Sequence, residues 1–257
     1  MKNKIRGMAY CLAMSLAGTI ILFLPASGLA DENGDWAFSF TPYIFAVGLE
    51  GNVATLPPAA PAEVDVPFSD ILDNLDLAFM GVGEARKGKF GIWGDLFYSD
   101  LSVDADTPGP FYSGADYDQT LLFITVGGSY RLVETEKANL DAIVGLRYTH
   151  LDNEFDLDAG IFPSTDIDHK EDWLDPLVGI KGQAKICDKL YVSGWAMAAV
   201  AGESDSAFDL FGGIGYEFSA SRSLIVGYRY LSVDYEDGAF LFDVELAGPV
   251  IGFTFRF

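Results

Sequence analysis

The residues of this chain with the reach for acid–base or metal chemistry are two histidines and a large surplus of carboxylates. His150 stands near the end of an alternating apolar stretch, and His169 lies close in sequence to Asp166, Asp168 and Glu171. Hydrolysis at an imidazole needs a carboxylate to orient it and an activated water or serine beside it. No specific His and Ser or paired-Asp signature accompanies either histidine. With 38 acidic residues in the chain, an acid near an imidazole carries little weight, and both histidines read as surface groups. Asp152, Glu154, Asp156 and Asp158 alternate, as do Asp104 with Asp106 and Asp166 with Asp168. Carboxylates stacked on one side of an extended segment repel unless a hard cation or protons intervene, which makes the first four weak candidates for loosely bound Ca²⁺ or Mg²⁺. They lack the glycine and distal glutamate of a helix–loop–helix calcium loop, so the competing reading is a solvated acidic face. No catalytic residue and no cofactor site are assigned.

The remaining polar residues of interest sit inside strand-like segments, and these segments must position them. Ten such segments run over 36–50, 77–86, 89–103, 119–133, 139–151, 173–186, 189–201, 208–219, 222–235 and 240–257. Their lengths suit the roughly 9 to 11 residues of a tilted membrane-crossing strand, with some overhang. An even number returns both ends to one side. In the fourth, Leu122, Ile124, Val126, Gly128, Tyr130 and Leu132 share one side, and Gln119, Thr125, Ser129 and Arg131 the other. In the sixth, Asp175, Lys181, Gln183 and Lys185 oppose Leu174, Val178, Ile180, Ala184 and Ile186. Glu84 with Arg86, and Asp141 with Arg147, repeat the even spacing. A basic side chain on the lipid face at mid-bilayer costs about 2 to 4 kcal/mol, which explains why charges keep to one parity. The expected lumen set is Glu84, Arg86, Asp95, Arg131, Asp141, Arg147, Asp175, Lys181, Lys185, Glu217, Arg229 and Arg256. In a narrow barrel these fill the interior, as a salt-bridged plug in place of an apolar core or, alternatively, as a polar path for small solutes.

Residues 1–30 have the form of an export signal: Lys2, Lys4 and Arg6 precede an apolar run, with Gly28 and Ala30 at a cleavage spacing. Its removal takes 3 of the 16 basic residues and none of the acidic ones, leaving 13 against 38 and a net charge of about −25. That charge excludes nucleic acid as a partner. Cys187 would be the one remaining thiol, so no internal disulfide is available. Short turns at 87–89, 134–137, 187–189 and 219–222 hold most of the basic residues outside the strands. Connections at 50–76, 100–118, 152–172, 203–209 and 234–245 carry 27 acids and a single base, Lys170. Longer connections face outward in barrels of this kind, which predicts a carboxylate-rich exterior. Within the first, residues 67–75 break the alternation and predict about two helical turns capped by Ser69, with Ile71, Leu72 and Leu75 on one face. This segment is expected to act as a lid or plug at the barrel mouth, or as an ordinary surface helix. Trp173, Tyr98, Tyr148 and Tyr230 are expected in the aromatic girdle at headgroup level.

The chain resembles a recurring group of uncharacterised proteobacterial outer-membrane β-barrel proteins, small and porin-like. The similarity runs through Thr41, Pro42, Tyr43, then Phe68 to Leu75, Glu84, Ala85, Arg86, Gly94, Asp95, Leu96 and Tyr98. It continues in Trp173, Asp175, Pro176, Gly227, Tyr228, Arg229, Tyr230, Leu231, Asp234, Tyr235, Gly248, Pro249, Gly252, Phe255, Arg256 and Phe257. The resemblance supports a fold and transfers no activity. The expectation is therefore an all-β, transmembrane, antiparallel up-and-down barrel over 31–257, of about ten strands with eight as the alternative. It would lie in the outer membrane as a non-enzymatic protein, either structural or a narrow diffusion channel for small solutes and cations. An outer-membrane hydrolase of lipid A deacylase or protease type, and a surface interaction or adhesion protein, are the alternatives. Outer-membrane lipid and lipopolysaccharide are the expected partners, with the barrel assembly machinery reading the closing strand that ends at Phe257.

Overall fold

The computed structural model describes residues 36–56, 60–105 and 111–257. The expected signal over 1–30, and Asp106, lie outside them. Among the described residues the strands are β1 (Ala37–Phe45), β2 (Gly48–Ala54), β3 (Ala62–Val66), β4 (Leu75–Lys87), β5 (Phe90–Ala105) and β6 (Tyr112–Glu134). They continue with β7 (Ala138–Ala159), β8 (Thr165–Lys185), β9 (Leu190–Ala199), β10 (Ser206–Ser219), β11 (Arg222–Asp237) and β12 (Phe240–Arg256), and one helix, α1 (Phe68–Asp73), lies between β3 and β4. All pairings are antiparallel, and β12 returns to pair with β1, so the sheet closes. Phe38 and Phe257 exchange backbone hydrogen bonds across that seam.

These twelve strands make ten barrel staves. β1 and β2 keep one register against β12, with Phe45 opposite Val250 and Gly48 opposite Ala247, so they form a single stave. The break falls opposite Pro249, whose oxygen accepts from the Ala46 N–H at 2.9 Å but which has no N–H to return. β3 pairs with β2 and β4 with β1. Together they form the second stave, from which residues 67–74 make an excursion. That excursion holds α1. Its N-cap is Pro67, without a side-chain cap bond, and Ser69 Oγ instead donates to Asp70 Oδ1 inside the first turn. The expected Ser69 cap is thus corrected: proline already has the extended backbone that a cap position requires. Ile71 packs against the lumenal apolar cluster, whereas Leu72 is exposed.

Two zones of the wall carry opposite patterns. In one, the outward face is greasy. Ile44, Ile251, Val226, Ile214 and Val192 are consecutive register partners around the wall, and all are exposed. A belt of this kind on a closed sheet is a lipid-facing surface. Toward the long connections the pattern inverts. On β12, Phe240, Phe242, Val244 and Leu246 point inward and are buried, while Asp243 and Glu245 share the outward parity of Ile251. β6, β7 and β8 have 23, 22 and 21 residues, or about 70 Å of chain at 3.3 Å per residue. That is far more than a bilayer requires. Their outer halves therefore stand in water as a conventional barrel with an apolar interior.

That interior corrects the expected ionic filling. Phe97, Leu121, Phe123, Leu151, Trp173, Leu231 and Val233 form one cluster with the inward residues of β12. Trp173, expected in the girdle, is inside and 1% exposed. Its ring stacks on Tyr235 at 4.2 Å, and His169 stacks on Phe240 at 5.3 Å. These two stacks cover a gap in the backbone ladder, because β9 has only 10 residues and pairs with β8 no farther than Leu177. Tyr98, Tyr148 and Tyr230 lie on the outward parity and are half-buried.

Two ion-pair clusters in the barrel lumen

At mid-depth, below the apolar cluster, β5, β7, β10 and β11 each direct a charged residue to the barrel axis. Arg229 donates from Nε and Nη2 to Asp209 at 3.0 and 2.7 Å, and from Nη2 to Asp95 at 2.5 Å. Its Nη1 donates to the Tyr43 hydroxyl at 2.6 Å, which in turn donates to Asp95 at 2.8 Å. Arg147 donates to Asp209 from Nη2 and to Thr125 Oγ1 from Nε at 3.0 Å. Asp209 also accepts from Trp195 Nε1 at 2.8 Å. Two acids and two arginines therefore balance. Side-chain exposure is 4% or less for all four. The Arg229 guanidinium lies 5.3 to 5.9 Å from the ring centres of Trp195, Tyr43 and Phe45, close enough for cation–π attraction. With apolar residues above and this cluster across the axis, the described lumen is filled at this level.

Toward the short turns a second cluster lies against the wall. Glu84 accepts from Arg86 at 2.7 Å and pairs with Lys181 Nζ at 2.7 Å. Asp141 is shared by Arg86 and Arg131, and Arg131 also reaches Glu134 at 2.9 Å. Gly91 makes room for them: a Cβ there would lie 2.5 Å from Ser129 Oγ and 3.0 Å from Glu84 Oε1. Arg256 stands apart from these pairs, its guanidinium 5.9 Å from the Tyr191 ring centre. Glu217 is half-buried and Lys185 exposed at the same end of the lumen. Asp175 is buried, with no basic partner among the described residues. It accepts from the Ser204 N–H at 3.0 Å and Oγ at 2.7 Å, which folds the 200–205 connection over β8.

Asp209 was not among the lumen residues expected from the sequence. Composition groups it with the acids of the 203–209 connection, yet β10 begins at Ser206 and Asp209 is 1% exposed. Its even spacing from Phe211, Gly215 and Glu217 is the signal that identifies its face. Tyr43 and Trp195 were missed for a different reason, since uncharged side chains on the inner parity look like lipid-facing ones.

The histidines do not converge. His150 Nδ1 is 2.6 Å from Asp172, which also accepts from the Tyr148 hydroxyl at 2.5 Å, on the outward face. His169 Nε2 is 2.9 Å from Glu171, on the inward parity. The sheet separates the two pairs. Asp152 is paired with Lys170 at 2.5 Å. Glu154 faces Asp118 and Asp168 across the strands, and Asp156 faces Asp116 and Asp166, while Asp158 continues the row outward. Among the described residues no three His, Cys, Asp or Glu side chains converge closely enough to hold a metal ion.

No family model matches the chain, and none of the curated proteins matches it in sequence. Among solved structures it resembles the outer membrane protease OmpT from Escherichia coli, with a TM-score of 0.61 and 9% identity over 89% of this chain and 99% of that one. The translocator domain of the autotransporter NalP from Neisseria meningitidis gives a TM-score of 0.43 at 14% identity, covering 88% and 90%. Ail, the attachment invasion locus protein of Yersinia pestis, gives 0.35 at 11%, covering 87% and 99%. The first match is one of fold alone, an antiparallel ten-stave barrel, and the other two are too distant to add to it.

Proposed function

We propose that this is an integral outer-membrane barrel that neither conducts nor catalyses, a closed cylinder with its short-turn end toward the periplasm and its acidic tower outside the cell. The observation that carries this reading is the dry layer formed by Arg147, Arg229, Asp95 and Asp209 beneath the outer apolar cluster. An ion crossing it would have to part buried pairs and then enter an apolar core, which is costly at low dielectric. Outer-membrane placement is supported by the greasy exterior row and by the barrel fold shared with OmpT. A hydrolase reading has less support, because the two imidazole–carboxylate pairs lie on opposite faces of the wall.

The test is planar-bilayer recording of the detergent-purified, heat-modifiable barrel. A silent bilayer is expected. Stepwise, cation-biased conductance of the wild type would overturn the closed reading, and peptide or lipid A turnover lost in His150→Ala or His169→Ala would overturn the non-catalytic one.

A further inference from the structure

Beneath the dry layer the lumen opens into a chamber of about 1350 Å³ at the short-turn end. Its charge is unlike that of the rest of the molecule. Arg86, Arg131, Lys181 and Arg256 line it, against Glu84, Asp141 and the Phe257 carboxylate, an excess of one positive charge in a chain whose net charge is −22. Glu134, which bonds Arg131 from the exposed rim, brings the sum to neutrality, still in contrast to the acidic exterior. Arg86 and Arg256 each keep a buried Nη1 without a hydrogen-bond partner among the described residues. The neighbouring staves β9 and β10 bring aromatic rings next to these cations, Trp195 as the register partner of Lys181 and Tyr191 beside Arg256. Tyr191, Trp195 and Phe211 line the chamber, and Tyr191 lies flat over Gly215, where a Cβ would come 2.0 Å from its ring. Its hydroxyl is fixed by Ser223 at 2.9 Å.

Cationic donors beside fixed aromatic surfaces in one cavity suit a ligand with an anionic head and a flat apolar body. We propose that the chamber binds small aromatic acids, carboxylates or sulfonates, admitted from the short-turn end. The acid group sits among Arg86, Lys181 and Arg256, and the ring lies against Tyr191 and Trp195. The volume is ample for one such molecule, since ligand sites commonly span about 300 to 1000 Å³. The dry layer forms the floor, so the site is a blind pocket rather than a passage. Only this last point, and the compartment the mouth faces, rest on the reading of the barrel as closed.

The experiment uses the whole barrel in nanodiscs of zwitterionic lipid, titrated calorimetrically with naphthalenesulfonate, naphthalenemethanol and naphthylmethylammonium. Saturable one-to-one binding of the sulfonate is expected, about ten-fold tighter than the alcohol as one charge-assisted hydrogen bond implies, with no measurable binding of the ammonium. Arg256→Gln breaks no ion pair of the second cluster, and it should weaken the sulfonate about ten-fold while leaving the alcohol unchanged. Ser193→Trp, which sets an indole between Tyr191 and Trp195 where the ligand ring would lie, should abolish both. Equal affinity for sulfonate and alcohol would overturn the proposal. So would undiminished binding in Ser193→Trp, which would mark partition into lipid. Should that variant fail to fold, judged by heat-modifiable mobility, the Arg256→Gln comparison decides alone. Conductance of the wild type would refute the closed barrel and leave these ratios standing.

Discussion

Two ion-pair clusters share this lumen, built from the same residue types, and they differ in water. The four mid-depth charges are 4% exposed or less, whereas in the other cluster Arg86, Lys181 and Glu84 are 14, 17 and 24% exposed and Asp141 alone, at 3%, is as dry. Attraction between opposite charges operates in both. What separates them is the fate of the partner left behind when one member is removed. In the dry layer it becomes an uncompensated ion with no solvent to accept it, and in the chamber water replaces the lost contact. The dry pairs therefore hold the cylinder together conditionally, as a set, while the water-reached pair of Lys181 with Glu84 can lose its cation at small cost.

Asp209→Ala breaks this comparison most severely. It leaves Arg147 with Thr125 alone and Arg229 with Asp95 and Tyr43, at a cost of about 3 to 5 kcal/mol. The temperature at which the folded gel band converts to the unfolded one should fall sharply. Lys181→Met, in the chamber, leaves Glu84 still bonded to Arg86, and the expected loss is at most about 1 kcal/mol, a shift of the same band within a few degrees. Equal shifts in the two variants would mean that water reaches the mid-depth layer, and the contrast would collapse.

The wall and its closure were legible in the sequence because a strand repeats every two residues, and lipid tolerates charge on one parity only. Arg131, Asp175 and Lys181 could be placed on the inner face for that reason. The apolar filling of the outer half was not legible, and the cause is an inversion of phase. On β12 the outward parity carries Ile251 in the membrane zone but Asp243 and Glu245 beyond it, so one strand satisfies lipid in one half and water in the other. A single inside–outside assignment per strand hides this. Asp209 fell on the boundary between an acidic connection and a strand, where composition pointed one way and spacing the other. Trp173 was misplaced because a large aromatic near a strand end suits the headgroup level as well as a core, and only the short β9 facing it makes the core position necessary. The chamber was invisible altogether, since its volume depends on how ten staves converge.

The outer tower supplies the gentlest contrast, because there acids stand beside acids across the strands. Asp116 lies between Asp104 and Asp156 in the cross-strand register, and Asp234 lies beside Asp243 and Asp205. Partial loss of water and then repulsion from Asp104 and Asp158 raise the carboxyl of Asp116 above its ordinary range, and the same two causes, with Asp243 and Asp205 as neighbours, raise that of Asp234. Groups whose pKa is raised by folding bind more protons in the folded state, so the tower gains stability as pH falls from neutrality toward the ordinary carboxylate value of about 4. Asp172 acts in the opposite sense. The Tyr148 hydroxyl and His150 hold its carboxyl below the usual range, so its contribution is complete above about pH 4 and fades only beneath that. Between about pH 7 and 5 the relief of repulsion should therefore prevail. Hydrogen exchange, corrected for its intrinsic pH dependence, should slow in peptides covering residues 112–120 and 230–237 but not in the lipid-facing segment 223–228. Asp116→Asn should reproduce that protection in the first peptide at neutral pH and flatten its pH response. Faster exchange of the tower at pH about 5 would show that its carboxylates are stabilised as anions, contrary to the repulsion their register implies.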